Sequence, residues 1–330
     1  MNKPIILAVE TSCDETSIAI IDGTNKLHSL VTNTQMEVFA EIGGVVPEMA
    51  SRMHVDNILP IYNQALKEAK ITIDDIDCIA VTNGPGLVGA LLIGVNFAKT
   101  IAMVHNKPII GVNHLHGHIH ALDLENEVKY PHLSLIVSGG HTELIYMPKR
   151  GEYQKVGQTL DDAAGESYDK VARILGVGYP GGPVIDKLAQ EGEDKYDLPM
   201  PKNDGSLDFS FSGLKSASFN AANIAKMKGE EINHKDFACS FQTRVVTTLI
   251  NKLELAKEKY NPMQVSIVGG VSANSELKKQ AKARLGDVII PSLTYSTDNA
   301  AMIASSALVN YELNNFADVI SINANPSMHI

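Results

Sequence analysis

Four of the chain's eleven histidines stand at alternate positions in NHLHGHIHAL, residues 113–122. As a strand, that spacing puts all four imidazoles on one face. As a helix, it pairs His114 with His118 and His116 with His120, each pair one turn apart. Two imidazoles one helical turn apart are a common metal-ligating arrangement. A lone pair of this kind is more often an ordinary core or surface pair; four histidines beside a carboxylate reverse that preference. The carboxylate is Asp298, supplied by an internal symmetry described below and expected from across a cleft. Two His and one Asp leave coordination positions open, which suits catalysis better than structural closure. His116 and His120, on the opposite helical face, read as packing residues.

One chemistry is excluded at once. A zinc peptidase helix reads His-Glu-x-x-His, the Glu serving as general base toward metal-bound water. Here Leu115 follows His114, and it cannot accept a proton.

The elements that must carry these residues occur twice. IILAVETSCDETSIAII (5–21) and LSLIVSGGHTELIYM (133–147) each read as strand, polar or glycine-rich tip, strand. A tip of small residues lets phosphate oxygens approach backbone N–H groups. IDCIAVTNGPGLVGALLIGVNFAKTIA (76–102) and MQVSIVGGVSANSELKKQAKARL (263–285) each read as buried strand, Gly-rich turn, helix. Apolar runs follow, KPIIGVN and DVIIPSL, and then NHLHGHIHAL in one half and TDNAAMIASSAL (297–308) in the other. His114 and Asp298 fall at matching places, preceded by Asn113 and Thr297 as helix caps. The duplication predicts an α/β, two-lobe actin/hexokinase/Hsp70-like (ASKHA) fold with an interlobe cleft that holds a nucleotide. Expected boundaries are 1–118 for the first lobe, with a C-terminal helix at about 309–330 packing back on it, and 119–308 for the second, with an insertion around 150–235.

Bulk properties narrow the setting. The 330 residues are 44% hydrophobic, enough for two lobes. Cys13, Cys78 and Cys239 are an odd, scattered set, as in a reducing cytoplasm. The longest apolar stretch, 87–104, is interrupted by Gly94, Asn96 and Lys99 and reads as a buried helix, not a membrane span. A net charge of −10 requires any nucleic-acid function to use a local basic patch or a partner. Lys278, Lys279, Lys282 and Arg284 are one such cluster, though a solvated helix face accounts for them.

Nine segments, among them ETSCDET (10–16), GGVVPEMASR (43–52), TNGPGLVGALLIG (82–94), VSGGHTEL (137–144), DDAAGESYDK (161–170), LDFSFSGLK (207–215) and GGVSAN (269–274), together resemble the TsaD family in its bacterial branch. These are tRNA adenosine threonylcarbamoyltransferases, formerly labelled glycoproteases. The resemblance implies transfer of a threonylcarbamoyl group from threonylcarbamoyl-adenylate to the exocyclic amine of the adenosine 3′ of the anticodon, in tRNAs reading A-starting codons. It implies one divalent metal, iron or zinc, on His114, His118 and Asp298. It places the adenylate on Ile136, Val137, Ser138, Gly139, Gly140, Asp169, Gly182, Asp186 and Asn274. Asp14 and Glu15, in the first tip, are candidates for substrate orientation or proton transfer. Implied partners are tRNA, a TsaB-like paralogue, a TsaE-like ATPase and a separate synthase that supplies the adenylate, with ATP itself a possible further ligand and no membrane. The amphipathic stretch 45–69 offers the paralogue a helical face. The competing readings are a metallopeptidase, against which Leu115 stands, and a noncatalytic nucleotide-binding scaffold, whose signature would be loss of the histidine pair or of Asp298.

Overall fold

The computed structural model describes residues 3–201 and 204–330. It divides into two compact units, one comprising the chain up to Phe39 with Val45–Val128 and Pro291–Ile330, the other Ala40–Gly44 with Lys129–Ile290.

In the first unit, β1 (Ile5–Glu10), β2 (Glu15–Asp22) and β3 (Leu27–Thr34) are followed by α1 (Met36–Ile42) and α2 (Pro47–Ala69). Then come β4 (Cys78–Gly84), α3 (Val88–Val104), β5 (Ile109–Asn113) and α4 (His114–His120). The sheet runs β3-β2-β1-β4-β5, with β1 antiparallel to β2 and parallel to β4. Its two faces follow the period of two. Leu7, Val9, Ile18 and Ile20 pack under α2 and α3, whereas Ile6, Ala8, Ala19 and Ile21 form the opposite core.

The second unit holds β6 (His132–Val137), β7 (Thr142–Met147), β8 (Gln154–Gln158), α5 (Ala164–Leu175), α6 (Gly181–Ala189), α7 (Ser212–Lys228) and α8 (His234–Tyr260). β9 (Gln264–Val268), α9 (Ser275–Leu285) and β10 (Val288–Ile289) complete it. Its sheet runs β8-β7-β6-β9-β10, with β6 antiparallel to β7 and parallel to β9. Both predicted hairpins and the repeated strand–turn–helix order are therefore present, with matching sheet topology.

The chain then returns to the first unit through α10 (Leu293–Ser296) and α11 (Ala300–Glu312). This differs from the expected boundaries: residues 119–128 and 291–308 lie in the first unit. The reason is hydrophobic. Ala300, Ile303, Ala304 and Ala307 fill the β1–β2 face with Ile6, Ala8, Ala19 and Ile21. Beyond α11, residues 313–330 hold no helix, but Ala317 bridges to Ile109 and Ile322 enters the core under α3. Among the described residues no helix is long and apolar enough to cross a membrane.

Candidate functional site

NHLHGHIHAL adopts the helical alternative. Asn113 ends β5, and its Oδ1 accepts the Leu115 amide at 2.8 Å, so α4 begins at His114 itself. Leu115 and Ile119 are buried. Gly117 faces α11: a Cβ there would stand 2.7 Å from Ile303 Cδ1, so a side chain at this position would require Ile303 to shift. Asp298 belongs to the turn entering α11. Thr297 is not that helix's cap; Asn299 is, accepting the Met302 amide at 3.1 Å while its amide group donates to the Thr297 carbonyl at 2.7 Å. Asp298 thus lies one residue ahead of a cap, and in the same unit as the histidines rather than across from them.

The three side chains converge. His118 Nε2 is 3.2 Å and His114 Nε2 3.5 Å from Asp298 Oδ1, with the rings 4.7 Å apart and nearly perpendicular. One ligand atom from each lies within 4.8 Å of the others. His118 is buried, and neither of its ring nitrogens has a hydrogen-bond partner; the approach of Nε2 to Asp298 is not a bonded geometry. Leaving such nitrogens unmade is costly in a buried site, and a metal ion bound through one of them would remove that part of the cost. The donor set fits a divalent ion with open positions. Burial lowers the His114 pKa, but the carboxylates of Asp298 and Glu10 outweigh it and hold the ring well above the ordinary imidazole value. Burial likewise opposes ionisation of Asp298, and the two imidazoles override it, keeping that carboxyl well below its usual range.

Sequence reasoning missed three supporting residues. Glu10, fully buried at the end of β1, has Oε2 3.1 Å from His114 Nδ1 and accepts the Thr82 hydroxyl at 2.6 Å. Its Oε1 accepts the Ser12 amide, and Ser12 Oγ lies 3.1 Å from the same His114 nitrogen. His54 of α2, also fully buried, has Nε2 2.9 Å from the Cys13 carbonyl and Nδ1 2.8 Å from Thr16 Oγ1. A carbonyl only accepts, so His54 carries its proton on Nε2 and takes the threonine hydroxyl on Nδ1. It clamps the tip that carries Asp14 and Glu15. Glu10 and Ser12 were visible within ETSCDET, and His54 two residues past GGVVPEMASR; nothing local marked any of them as a support.

At that tip, the Asp14 carbonyl accepts the Gln35 amide at 3.1 Å, and Glu15 accepts the Thr34 hydroxyl at 3.4 Å. Burial, then the charges of Asp298 and Asp14, push the Glu15 carboxyl well above its ordinary value. His120 pairs with Asp123 at 2.9 Å, in keeping with a packing role.

The other candidates lie in the second unit. Ile136 and Val137 have fully buried side chains, which leaves only their main chain for a ligand. The β6–β7 tip is tied by Ser138 N to His141 O at 2.9 Å and His141 N to Ser138 Oγ at 3.1 Å. Gly139 and Gly140 are exposed, with nothing within 4 Å of where a Cβ would stand. Asp169 accepts the Gly181 amide at 2.7 Å and so seats the start of α6 beside Gly182. Burial raises its pKa, partly offset by that amide. Asp186 and Asn274 are engaged within the protein. Asp186 Oδ1 accepts Ser275 Oγ at 2.7 Å and Gln242 Nε2 at 3.0 Å. Asn274 caps α9 by accepting the Leu277 amide at 2.9 Å and donates to Gln242 at 2.7 Å.

Residues 26–305 match the family TsaD, tRNA N6-adenosine threonylcarbamoyltransferase. Proteins of that name in Bacillus cereus and Listeria welshimeri are 52% and 50% identical, over 99% and 98% of this chain and 96% of each relative. A Geobacillus kaustophilus relative of the same name is 49% identical over 99% of this chain and 98% of its own. Among solved structures, HypF of T. kodakarensis superposes with a TM-score of 0.65 at 12% identity, covering 97% of this chain and 50% of that one. A full-length HypF in its phosphate- and nucleotide-bound form gives 0.62 at 14%, covering 94% and 56%. The likeness, with the repeated sheet topology, makes the fold the two-lobe actin/hexokinase/Hsp70-like one. The chain belongs to the TsaD family of tRNA N6-adenosine threonylcarbamoyltransferases.

Proposed function

We propose that this chain transfers a threonylcarbamoyl group from threonylcarbamoyl-adenylate to N6 of the adenosine 3′ of the anticodon in tRNAs reading A-starting codons. The observation that carries the reading is the convergence of His114, His118 and Asp298, with Leu115 where a zinc peptidase carries its base. The intact ligand set equally disfavours a noncatalytic scaffold.

The new bond joins the adenosine N6 to the carbamoyl carbon; the bond to the phosphate oxygen breaks, and AMP leaves with the electron pair. An aromatic exocyclic amine is a weak nucleophile, so positioning and charge stabilisation carry the catalysis. His114, His118 and Asp298 would hold a divalent ion, iron or zinc, which when bound supplies Lewis-acid polarisation or a seat for the threonyl carboxylate. Glu10 orients His114, and His54 orients the tip. Glu15, whose carboxyl is pushed well above its ordinary value by burial and the charges of Asp298 and Asp14, takes the amine proton, and Asp14 orients the substrate beside it. Main-chain groups of Ile136 to Gly140 receive the adenylate phosphate. Asp169 and Gly182 flank the nucleoside at the start of α6. Asp186 and Asn274 enter through the network they share with Gln242, keeping α6, α8 and α9 in register, and through whatever lone pairs that network leaves for ribose. A TsaB-like paralogue, a TsaE-like ATPase and a separate synthase complete the assembly in the cytoplasm, and ATP is a further candidate ligand. For the paralogue, α2 is the proposed contact; Ile58 and Ile61 are taken up by its own core, which leaves Met49, Val55 and Leu59 as its exposed large apolar side chains.

Nucleoside mass spectrometry tests the reading. Unmodified tRNA incubated with the chain, its partners, the synthase, threonine, bicarbonate and ATP should yield threonylcarbamoyladenosine. A reaction in which every partner is active and no modified nucleoside forms overturns it.

A further inference from the structure

A polyanionic substrate must find cations on a chain whose net charge is −10. In the second unit, cations and an exposed aromatic ring meet in a hollow. It lies between α5 and α7, has a volume of about 660 Å³, and is lined by Lys170, Arg173, Lys215 and Phe219. The groove continues along α7 past Lys226 to Glu230. Helix α7 carries Lys215, Lys226 and Lys228 and no carboxylate.

DDAAGESYDK and LDFSFSGLK, whose second acidic residue and lysine had no role in the transfer chemistry above, build this platform. Asp161 accepts the Phe211 amide at 2.7 Å, the Ser210 hydroxyl at 2.5 Å and the Ser212 hydroxyl at 2.7 Å, fixing the start of α7. Asp162 binds Lys170 at 2.8 Å and Lys215 at 2.6 Å, tying α5 to α7. Glu166 takes a second contact to Lys170 at 2.7 Å. Arg173, Lys226 and Lys228 have no carboxylate within ion-pair distance among the described residues. Phe219 is 53% exposed on this rigid frame. By contrast, α9 pairs Lys279 with Glu276 and Arg284 with Glu254, and has no aromatic residue.

We propose that the α5–α7 groove seats the RNA substrate, an unpaired base stacking on Phe219 while backbone phosphates meet Arg173, Lys215 and Lys226. This rests on the tRNA-modifying reading above. Single-stranded loops are recognised by aromatic stacking with cations tracking the backbone, and the target adenosine lies in such a loop. The exposed apolar side chains of α7 (Phe219, Ile224 and Met227) would also suit a protein helix. The cations, with no carboxylate on that helix, favour phosphate.

The test measures the tRNA KM in the reconstituted reaction and, separately, binding of unmodified tRNA by the full chain at two salt concentrations. Phe219→Ala should raise the tRNA KM about fivefold or more, and Phe219→Tyr should restore it. Lys226→Gln with Lys228→Gln should weaken binding at low salt and flatten its salt dependence, by about 0.7 in log–log slope for each lost phosphate contact. Lys278→Gln with Lys282→Gln on α9 removes the same charge and should do neither. Equal losses from the two lysine pairs, or a tRNA KM and binding unchanged by Phe219→Ala, overturn the proposal. So does a Phe219→Ala protein that binds tRNA normally but no longer retains a partner protein. If the unaltered chain forms no modified nucleoside, the functional reading fails, while the binding titration still decides the groove.

Discussion

The carboxylate of Glu10 stands 3.1 Å from Nδ1 of His114, so the ring's other nitrogen is turned toward Asp298 by a group with no contact to solvent. Such a partner fixes both ring orientation and basicity of a ligating imidazole. Glu10→Gln should therefore weaken metal affinity about ten- to a hundredfold, read by competition with a chelator, while the far-ultraviolet spectrum stays native.

His118 and His120 are both buried on the same short helix, yet they should behave differently. His118→Ala should abolish metal retention and nucleoside formation together. His120→Ala removes the Asp123 contact and should lower the melting temperature while leaving about one metal per chain. Metal content by plasma mass spectrometry after dialysis separates the two.

Gly165 lies in the first turn of α5 against the β6–β7 tip, its amide 3.2 Å from the Ser138 carbonyl oxygen. A Cβ there would stand 2.5 Å from the Ser138 carbonyl oxygen and 2.8 Å from Gly139 Cα. Both are main-chain atoms, which cannot rotate away. Gly165→Ala should cost about 1–3 kcal/mol of stability by chemical denaturation and raise the donor KM more than the tRNA KM.

Asp162 gives the pH dependence a definite sign. Burial raises its pKa, but Lys170 and Lys215 overcome this and hold it below the usual 3.8. A depressed carboxylate contributes stability that is complete above the unfolded value and is lost as the pH falls through the folded one. Asp162→Asn should cost about 1–2 kcal/mol at neutral pH, and the gap from the unaltered protein should shrink below about pH 4. Paired urea melts at pH 7 and pH 3 check this.

Much of the architecture was legible because it is written in local patterns. The hairpins and the strand–turn–helix repeats follow from apolar periodicity and glycine-rich turns, and they appear in matching topology in both units. His114 and His118 were legible as one helix face. What escaped depends on which side chain wins a local position, or on contacts distant in the chain. Thr297 has the chemistry of a cap, but Asn299 takes the position because its side chain reaches both Met302 and the Thr297 carbonyl. Repeat symmetry assigned Asp298 to the second lobe; the alanine-rich face of α11 instead buries itself on β1 and β2. Glu10 looks like the last residue of a strand until His114, 104 residues later, is set against it. Asn274 and Asp186 look ligand-facing in sequence, but much of their bonding capacity holds three helices together.

Both histidines, Asp298, Glu10 and His54 belong to one compact unit, so an ion held by the proposed ligands would be anchored in that unit, apart from the residues proposed for the adenylate. Tight metal binding there would stabilise the folded protein by RT ln(1 + [metal]/Kd). In a scanning calorimeter, chelation of a bound ion should then lower the melting temperature. A cell short of metal would then accumulate chains more open to proteases, beginning where α4 and the turn before α11 lose the ion between them.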